Sequence, residues 1–344
     1  MIAVYSEAHR QHHGAAEFDR GRLVPCVEQP ARAEAVLQAL TAANLGPIVS
    51  PDDVPIGILT RIHDSGYLHF LQTASARWHQ SHSGDALPYC WPPGGRHQAP
   101  PPSLHGQLGY YAYDAGTPIT AGTWEAATAA VRVTLTALRQ LHAGARMAFA
   151  LCRPPGHHAG PDYYGGYCFF NNAAVAAQAW VEVGARVAIL DVDYHHGNGT
   201  QDLFYRRDDV LFVSIHADPA EEYPFYWGHA DERGEGPGHG YNHNLPLPLG
   251  TGWTGYREAL DQALSLVAAF KPDGLVVSLG LDTYAQDPIA RFRLESDDYP
   301  LLGRAIAALG LPTLFVLEGG YHLATLGHHT VAALRSFALQ AATS

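Results

Sequence analysis

The sequence predicts an open α/β fold with a mostly parallel central sheet and helices on both faces. Three observations predict the open α/β sheet. Short, nearly continuous runs rich in Val, Ile, Leu and Phe recur along the chain. Longer amphipathic segments separate them. Unusual polar clusters fall at the C-terminal ends of the apolar runs.

The apolar runs are 147–152, 186–192, 210–215, 274–281 and 312–317, and a shorter one opens the chain from Met1 to Ser6. Strands buried on both faces of a parallel sheet read this way, because neither face meets water. The helical patterns are 123–142, 171–183, 255–270, 298–309 and 323–340. Asn171 and Asp297 precede two of them, and both residue types cap a helix by offering a side-chain oxygen to its free N–H groups. Alternation of this kind covers a parallel sheet on both faces.

The segment 81–121 is different. It holds Trp91-Pro92-Pro93-Gly94-Gly95 and Pro100-Pro101-Pro102, with little periodicity. A structureless loop of this length in a compact domain is usually functional. Its aromatics, Trp91, Tyr110, Tyr111 and Tyr113, give it something to pack with. We expect one domain over 1–344, with this insertion lying near a site or a subunit contact.

The net charge is −12 and the sole lysine is Lys271. A nucleic-acid footprint needs a basic face, so that class of partner is excluded. A negative surface suits a cationic ligand. Cys26, Cys90, Cys152 and Cys168 form no C-x-x-C pair, which fits a reducing compartment, and a cytoplasmic location is expected. No positive segment followed by an apolar run opens the chain, and stretches such as 311–317 are too short to span a bilayer, so no membrane partner is expected.

The polar clusters carry the chemistry. Arg153-Pro154-Pro155-Gly156-His157-His158 follows the run at 147–152. Asp191-Val192-Asp193-Tyr194-His195-His196-Gly197-Asn198-Gly199 ends the run at 186–192. Asp282 follows Gly280-Leu281, and Glu318-Gly319-Gly320-Tyr321 ends the run at 312–317. In open α/β sheets the strand C-termini are where ligands bind. On an extended segment Asp193 and His195 point the same way. Asp282 can supply a third ligand, and three protein ligands with one open position is the layout of a catalytic zinc. Two oxygens and one nitrogen also suit Fe(II) or Mn(II). A D-x-H pair alone is commonly just a polar strand end; here the other clusters decide for a metal. His157 and His158 sit where a histidine can take a proton from a metal-activated water and return it to a leaving amine. Asp191 and Asn198 are polar orienters of the kind such imidazoles need. Tyr321, after two glycines that allow a sharp turn, can donate to a carbonyl oxygen as charge develops. His12-His13 and His328-His329 are ordinary surface or core residues.

The motifs R-P-P-G-H-H, G-G-Y-C-F-F-N-N, D-V-D-Y-H-H-G-N-G-T, S-L-G-L-D-T and E-G-G-Y strongly resemble the histone deacetylase superfamily. Within it the chain is most similar to the bacterial acetylpolyamine amidohydrolases, including Gly106-Gln107-Leu108-Gly109-Tyr110-Tyr111 of the insertion. The resemblance implies the arginase-like fold and one Zn(2+) per chain on Asp193, His195 and Asp282. It implies that His158 is general base and acid, oriented by Asn198, with His157 and Asp191 as electrostatic partners. Tyr321 would polarise the scissile carbonyl. Gly166, Tyr167 and Tyr223 would line the acyl-amine channel, with Ile289 near its rim. A structural K(+) or Na(+) would be held by Asp191, Asp193, His195, Ser214 and Ile215, and a second by the backbone of Phe204, Arg207 and Val210. The implied substrate is a small acylated amine, and the implied assembly is a homodimer whose insertion narrows the channel. One departure stands out: where the polyamine enzymes carry acids on the insertion, this chain has His105 and Gly116, and Asp114 is the only acid from Trp91 to Thr120. Asp218, Glu221 and Glu222 are acids on another loop that could serve instead.

Competing functions are a deacetylase of protein lysines or another small amine, a two-manganese ureohydrolase, and a non-catalytic binding module. The ureohydrolase pattern D-x-H-x-D is broken by Gly197, and a binding module would be expected to have lost Tyr321, a histidine of the pair or a metal ligand.

Overall fold

The computed structural model describes residues 1–93 and 99–342. Gly94 and Gly95 of the proline- and glycine-rich insertion motif lie outside the described residues. The strands are β1 (Ile2–Val4), β2 (Glu17–Asp19), β3 (Arg22–Val24), β4 (Ile48–Val49), β5 (Met147–Ala150), β6 (Val187–Asp191), β7 (Val210–Ala217), β8 (Asn242–Leu247), β9 (Gly274–Leu279) and β10 (Thr313–Leu317). The α-helices are α1 (Ala31–Ala43), α2 (Leu59–Ile62), α3 (Ser65–Trp78), α4 (Leu104–Tyr111), α5 (Thr123–His142), α6 (Asn172–Val181), α7 (Asn198–Phe204), α8 (Trp253–Phe270), α9 (Asp298–Ala307) and α10 (Leu323–Ala341).

Eight strands form one sheet in the order β4-β1-β5-β10-β9-β6-β7-β8, and β2 pairs with β3 in a separate antiparallel ribbon. Every neighbouring pair in the large sheet is parallel. Alternate residues of each strand feed two cores. Ala188 and Leu190 of β6 join the core shared with α1, α8, α9 and α10, whereas Val187 and Ile189 join the one shared with α3, α5 and α6. Both faces are therefore apolar, as the unbroken runs predict.

The sheet order has a direct consequence for the site. The four strands that carry the polar clusters, β5, β10, β9 and β6, are consecutive neighbours. Asp191 at the end of β6 is level with Ser278 of β9 and Ser214 of β7. All four clusters thus emerge from one edge, side by side.

Three expectations need correction. Asn171 does cap α6, accepting the N–H of Ala174 at 2.9 Å. Asp297 caps nothing through its side chain; instead Asp298 accepts the N–H of Glu295 at 2.8 Å, closing the turn that leads into α9. The insertion is not irregular throughout, since α4 lies inside it and Ala86 pairs with Ile119 across its ends. Leu108 and Tyr111 of α4 are buried, so tertiary packing supports a helix whose glycines hide its period. Finally, β6 stops at Asp191, and Asp193 and His195 lie on a bend beyond it rather than on extended strand.

Candidate active site

That bend is built from side-chain turns. Asp191 Oδ1 accepts the N–H of Asp193 at 3.1 Å, and Asp193 Oδ1 accepts the N–H of His195 at 2.9 Å. Aspartate closes such i to i+2 rings readily. Asp282, beyond β9, fixes the bend from the opposite side by accepting the N–H of Tyr194 at 3.0 Å. The result brings ligand atoms of Asp193, His195 and Asp282 within 4.8 Å of one another, all buried.

Close approach here depends on glycine. A Cβ at Gly280 would lie 2.0 Å from Asp193 Oδ2, and one at Gly319 would lie 2.5 Å from Asp282 Oδ2. Gly319 also donates its N–H to Asp193 Oδ2 at 2.8 Å. His195 Nδ1 stands 3.0 Å from Asp282 Oδ2 and 3.5 Å from Asp193 Oδ1. Burial would lower the pKa of His195, but the bonds to Asp193 and Asp282 outweigh it and push it up to about 10. Burial and the Asp193 charge raise Asp282 to about 6. Two buried carboxylates converging on one point call for positive charge, and a divalent cation meets that demand with the imidazole neutral. The donor set therefore fits a zinc-type ion, and Fe(II) or Mn(II) on the same chemistry.

His157 and His158 are carried here from β5, past Pro154-Pro155-Gly156. Glu318 at the end of β10 anchors that segment, its Oε2 accepting the N–H groups of Gly156 at 2.6 Å and His157 at 3.1 Å. His157 Nδ1 lies 2.9 Å from Asp191 Oδ2. Burial opposes its charge, but Asp193 and Asp191 prevail and raise it to about 10. His158 Nδ1 lies 2.6 Å from Asn198 Oδ1. Burial, then the positive His157 and His195, hold His158 well below the usual histidine range.

Tyr321 follows Gly319-Gly320 beyond β10, near enough for the charges of Asp282 and Asp193 to bear on its phenol. Its backbone N–H donates to Asp287 Oδ2 at 2.7 Å, and the Arg32 guanidinium sits 4.6 Å from its ring centroid. Arg32 is itself fixed by the carbonyl oxygens of Gly320 at 2.6 Å and Glu318 at 2.5 Å and by Glu28 at 3.0 Å. Burial pushes the Tyr321 phenol well above its ordinary pKa, so it stays a donor. Tyr167 meets Tyr321 edge-on at 5.6 Å. Tyr223 stands edge-on to His158 at 5.2 Å and to His195 at 5.9 Å. Gly166 makes room for His158, since a Cβ there would lie 2.2 Å from its ring. Ile289 is half-buried beyond Asp282, its N–H donating to Asp287 Oδ1 at 3.1 Å.

The residues expected around a monovalent cation fall in two places. Ser214 and Ile215 lie on β7 beside Asp191, and Ser214 Oγ meets His216 Nδ1 at 2.8 Å. Phe204 ends α7, its carbonyl accepting the N–H of Arg207 at 2.9 Å, and Val210 opens β7. Of the departures, His105 packs edge-on to Trp78, His82 and Tyr89, and Gly116 faces open space with Phe18 O the nearest atom to a Cβ, at 3.7 Å. Glu222 is occupied by the Tyr194 hydroxyl at 2.9 Å and the N–H of Tyr223 at 3.1 Å.

Several residues at the site escaped the sequence reading. Glu17, on the ribbon, accepts the Tyr167 hydroxyl at 3.1 Å, and burial raises its pKa to about 7. Asp114 accepts the N–H of Gly166 at 2.7 Å and the Tyr223 hydroxyl at 2.8 Å, tying the insertion to the channel wall. Asp287 and Arg32 brace the Tyr321 turn. None of these falls in a dense motif, so only the fold reveals them.

The chain matches the histone deacetylase domain model over residues 26–337. It is 55% identical over 341 residues to acetylpolyamine amidohydrolase 1 of Pseudomonas aeruginosa, covering 98% of this chain and 99% of that one. It is 46% identical over 340 residues to the acetylpolyamine amidohydrolase of Mycoplana ramosa, covering 98% and 100%. Among solved structures, the acetylpolyamine aminohydrolase of Burkholderia pseudomallei superposes with a TM-score of 0.94 at 39% identity, covering 99% of each chain.

Proposed function

Because this chain belongs to the histone deacetylase family, we propose that it is a single-domain, metal-dependent amidohydrolase that removes an acetyl group from small acylated amines of the acetylpolyamine type. One observation carries the reading. The Asp193, His195 and Asp282 ligand set, the His157–His158 pair and Tyr321 converge in one buried space walled by Tyr167 and Tyr223.

Asp193, His195 and Asp282 would hold the ion, which when bound acidifies a water and polarises the carbonyl. His158, neutral and carrying its hydrogen on Nδ1 toward Asn198, presents Nε2 to take the water proton and later gives it to the departing amine. His157, kept positive by Asp191, offsets negative charge growing next to it. The protonated Tyr321 phenol donates to the developing oxyanion. Asp191, Asp193, His195 and Ser214, with the backbone of Ile215, would hold one structural monovalent cation, and the carbonyls around Phe204, Arg207 and Val210 a second.

The names of the P. aeruginosa and M. ramosa relatives support a polyamine-type amine. With His105 and Gly116 in place of acids, this chain would depend on acids elsewhere, such as Glu17 beside Tyr167, for any distant ammonium. Apolar side chains exposed on the ribbon (Phe18, Leu23), the insertion (Tyr89, Trp91) and the 223–227 loop (Phe225, Tyr226) support a homodimer. The ureohydrolase reading fares worse still: a Cβ at Gly197 would lie 2.3 Å from Asp191 Oδ2, leaving no room for a second-metal carboxylate. Among the described residues no helix is long and apolar enough to cross a membrane. A panel of acetylputrescine, acetylcadaverine, acetylspermidine and acetyllysine peptides tests the substrate class. Faster turnover of the small amines supports it, and preference for peptides refutes it.

A further inference from the structure

Asn198 gives His158 its acceptor, but an amide has two faces. Turned over, it would offer N–H groups to His158 instead of an oxygen. What holds it one way lies beyond the residues given roles so far. Asn198 Nδ2 donates to the Tyr163 hydroxyl oxygen at 3.3 Å. That hydroxyl has one proton, and it is directed at Asp202 Oδ2 at 2.6 Å. A second hydrogen bond reaches Asp202 from the Trp227 side chain. The other acceptor within reach of Tyr163, the Asn198 carbonyl at 3.4 Å, is neutral and farther away. A short bond to a carboxylate is the stronger of the two.

With its proton committed to Asp202, the Tyr163 oxygen can only accept from Asn198. The amide nitrogen therefore faces Tyr163, and the amide oxygen faces His158. His158 Nδ1 must then carry the hydrogen, and Nε2 keeps its lone pair. Which nitrogen of a histidine is protonated is set by the bond the other one makes. The seat for Tyr163 is purpose-shaped, since a Cβ at Gly160 would lie 2.2 Å from its ring.

We infer that Tyr163 and Asp202 are positioning residues that act through Asn198 to fix the tautomer of His158. The inference rests on the reading of His158 as the base. The row runs from Asp202 through Tyr163 and Asn198 to His158, with every donor direction dictated by the carboxylate at its far end.

A carboxylate in place of the amide has no wrong face, and this gives the test. Tyr163→Phe is compared in the native background and in Asn198→Asp, using the metal-loaded full chain and an acetylated small amine. In the native background kcat falls by roughly 10- to 100-fold, the effect expected of an outer partner, with KM and metal content little changed. In the Asn198→Asp background the same change costs far less. Equal losses in both backgrounds would mean that Tyr163 merely packs, and would overturn the inference. A second readout needs no activity: the ¹⁵N shifts of the His158 ring, assigned by their absence in His158→Ala. The native chain shows the Nδ1–H form and Tyr163→Phe shows a mixture; an unchanged tautomer overturns the inference. A native protein inactive on every acetylated amine would count against the deacetylase reading, and the ring shifts would still decide the row.

Discussion

His157 and His158 are neighbours in the chain with ring centroids 4.1 Å apart, yet their surroundings drive them in opposite directions. His157, beside Asp193 and Asp191, is raised to about 10, whereas His158, buried and next to the positive His157, is held well below the ordinary histidine value. In the proposed mechanism, two titratable groups pushed apart in this way divide the work between a fixed charge and a mobile proton. His158→Ala should therefore be the more damaging change, because it removes the proposed proton carrier. Comparing kcat/KM for His157→Ala and His158→Ala, with metal content matched, checks the order; a far worse His157→Ala would reverse the two roles.

The same asymmetry sets the pH profile. A base must be unprotonated, and the His158 pKa is lowered by burial and then by the positive His157. The acid limb of kcat/KM should lie below pH ~6.5, the ordinary histidine value. Asn198→Asp places an anion against Nδ1, raises the His158 pKa and moves that limb to higher pH. A profile of kcat/KM against pH for both proteins measures the shift, and no movement would remove Asn198 from its orienting role.

Tyr321→Phe should lower kcat by roughly 10²–10³, the loss typical of one oxyanion donor, with KM and bound metal nearly intact. Asp287 supports the same group by accepting the Tyr321 N–H at 2.7 Å. Asp287→Ala leaves that buried N–H without its partner, which costs about 1–3 kcal/mol. Denaturant unfolding should register the destabilisation, and steady-state kinetics a fall in kcat.

Much of this was legible in the sequence, for physical reasons. β5, β6, β9 and β10 are buried on both faces, so their runs are unbroken, and their polar ends stand out against them. α5 and α10 are long and strongly amphipathic. β8 escaped because it is an edge strand, reading Asn-His-Asn-Leu-Pro-Leu with Pro246 inside, a pattern that looks like a loop. α4 escaped because Gly106 and Gly109 weaken its propensity; a Cβ at Gly109 would strike Cys90 O, so the glycine serves packing. Glu17 and Asp114 meet the channel from chain segments 150 and 52 residues away from their partners Tyr167 and Gly166, a proximity that only the fold creates.

Metal removal gives a further prediction. Chelation should abolish activity, and Zn(II), Co(II) or Fe(II) should restore it. Asp193→Ala and Asp282→Ala should lose metal and activity together, because each takes away one of three ligands. Elemental analysis should find one zinc-type ion per chain at this centre; two stoichiometric ions there would contradict the mononuclear site.

The homodimer is checked by sedimentation of the full chain. A dimer at micromolar concentration is expected, and shortening the insertion should favour monomers and admit larger substrates. A monomeric native protein would contradict the proposed role of the insertion.

The most direct test of the account is to incubate the zinc-loaded protein with acetylputrescine and quantify free acetate and putrescine by mass spectrometry, alongside its Tyr321→Phe variant carrying equal zinc. The account predicts equimolar acetate and amine from the native chain and roughly 10²–10³-fold less from the variant. No product from any acetylated amine, or equal product from both proteins, would contradict it.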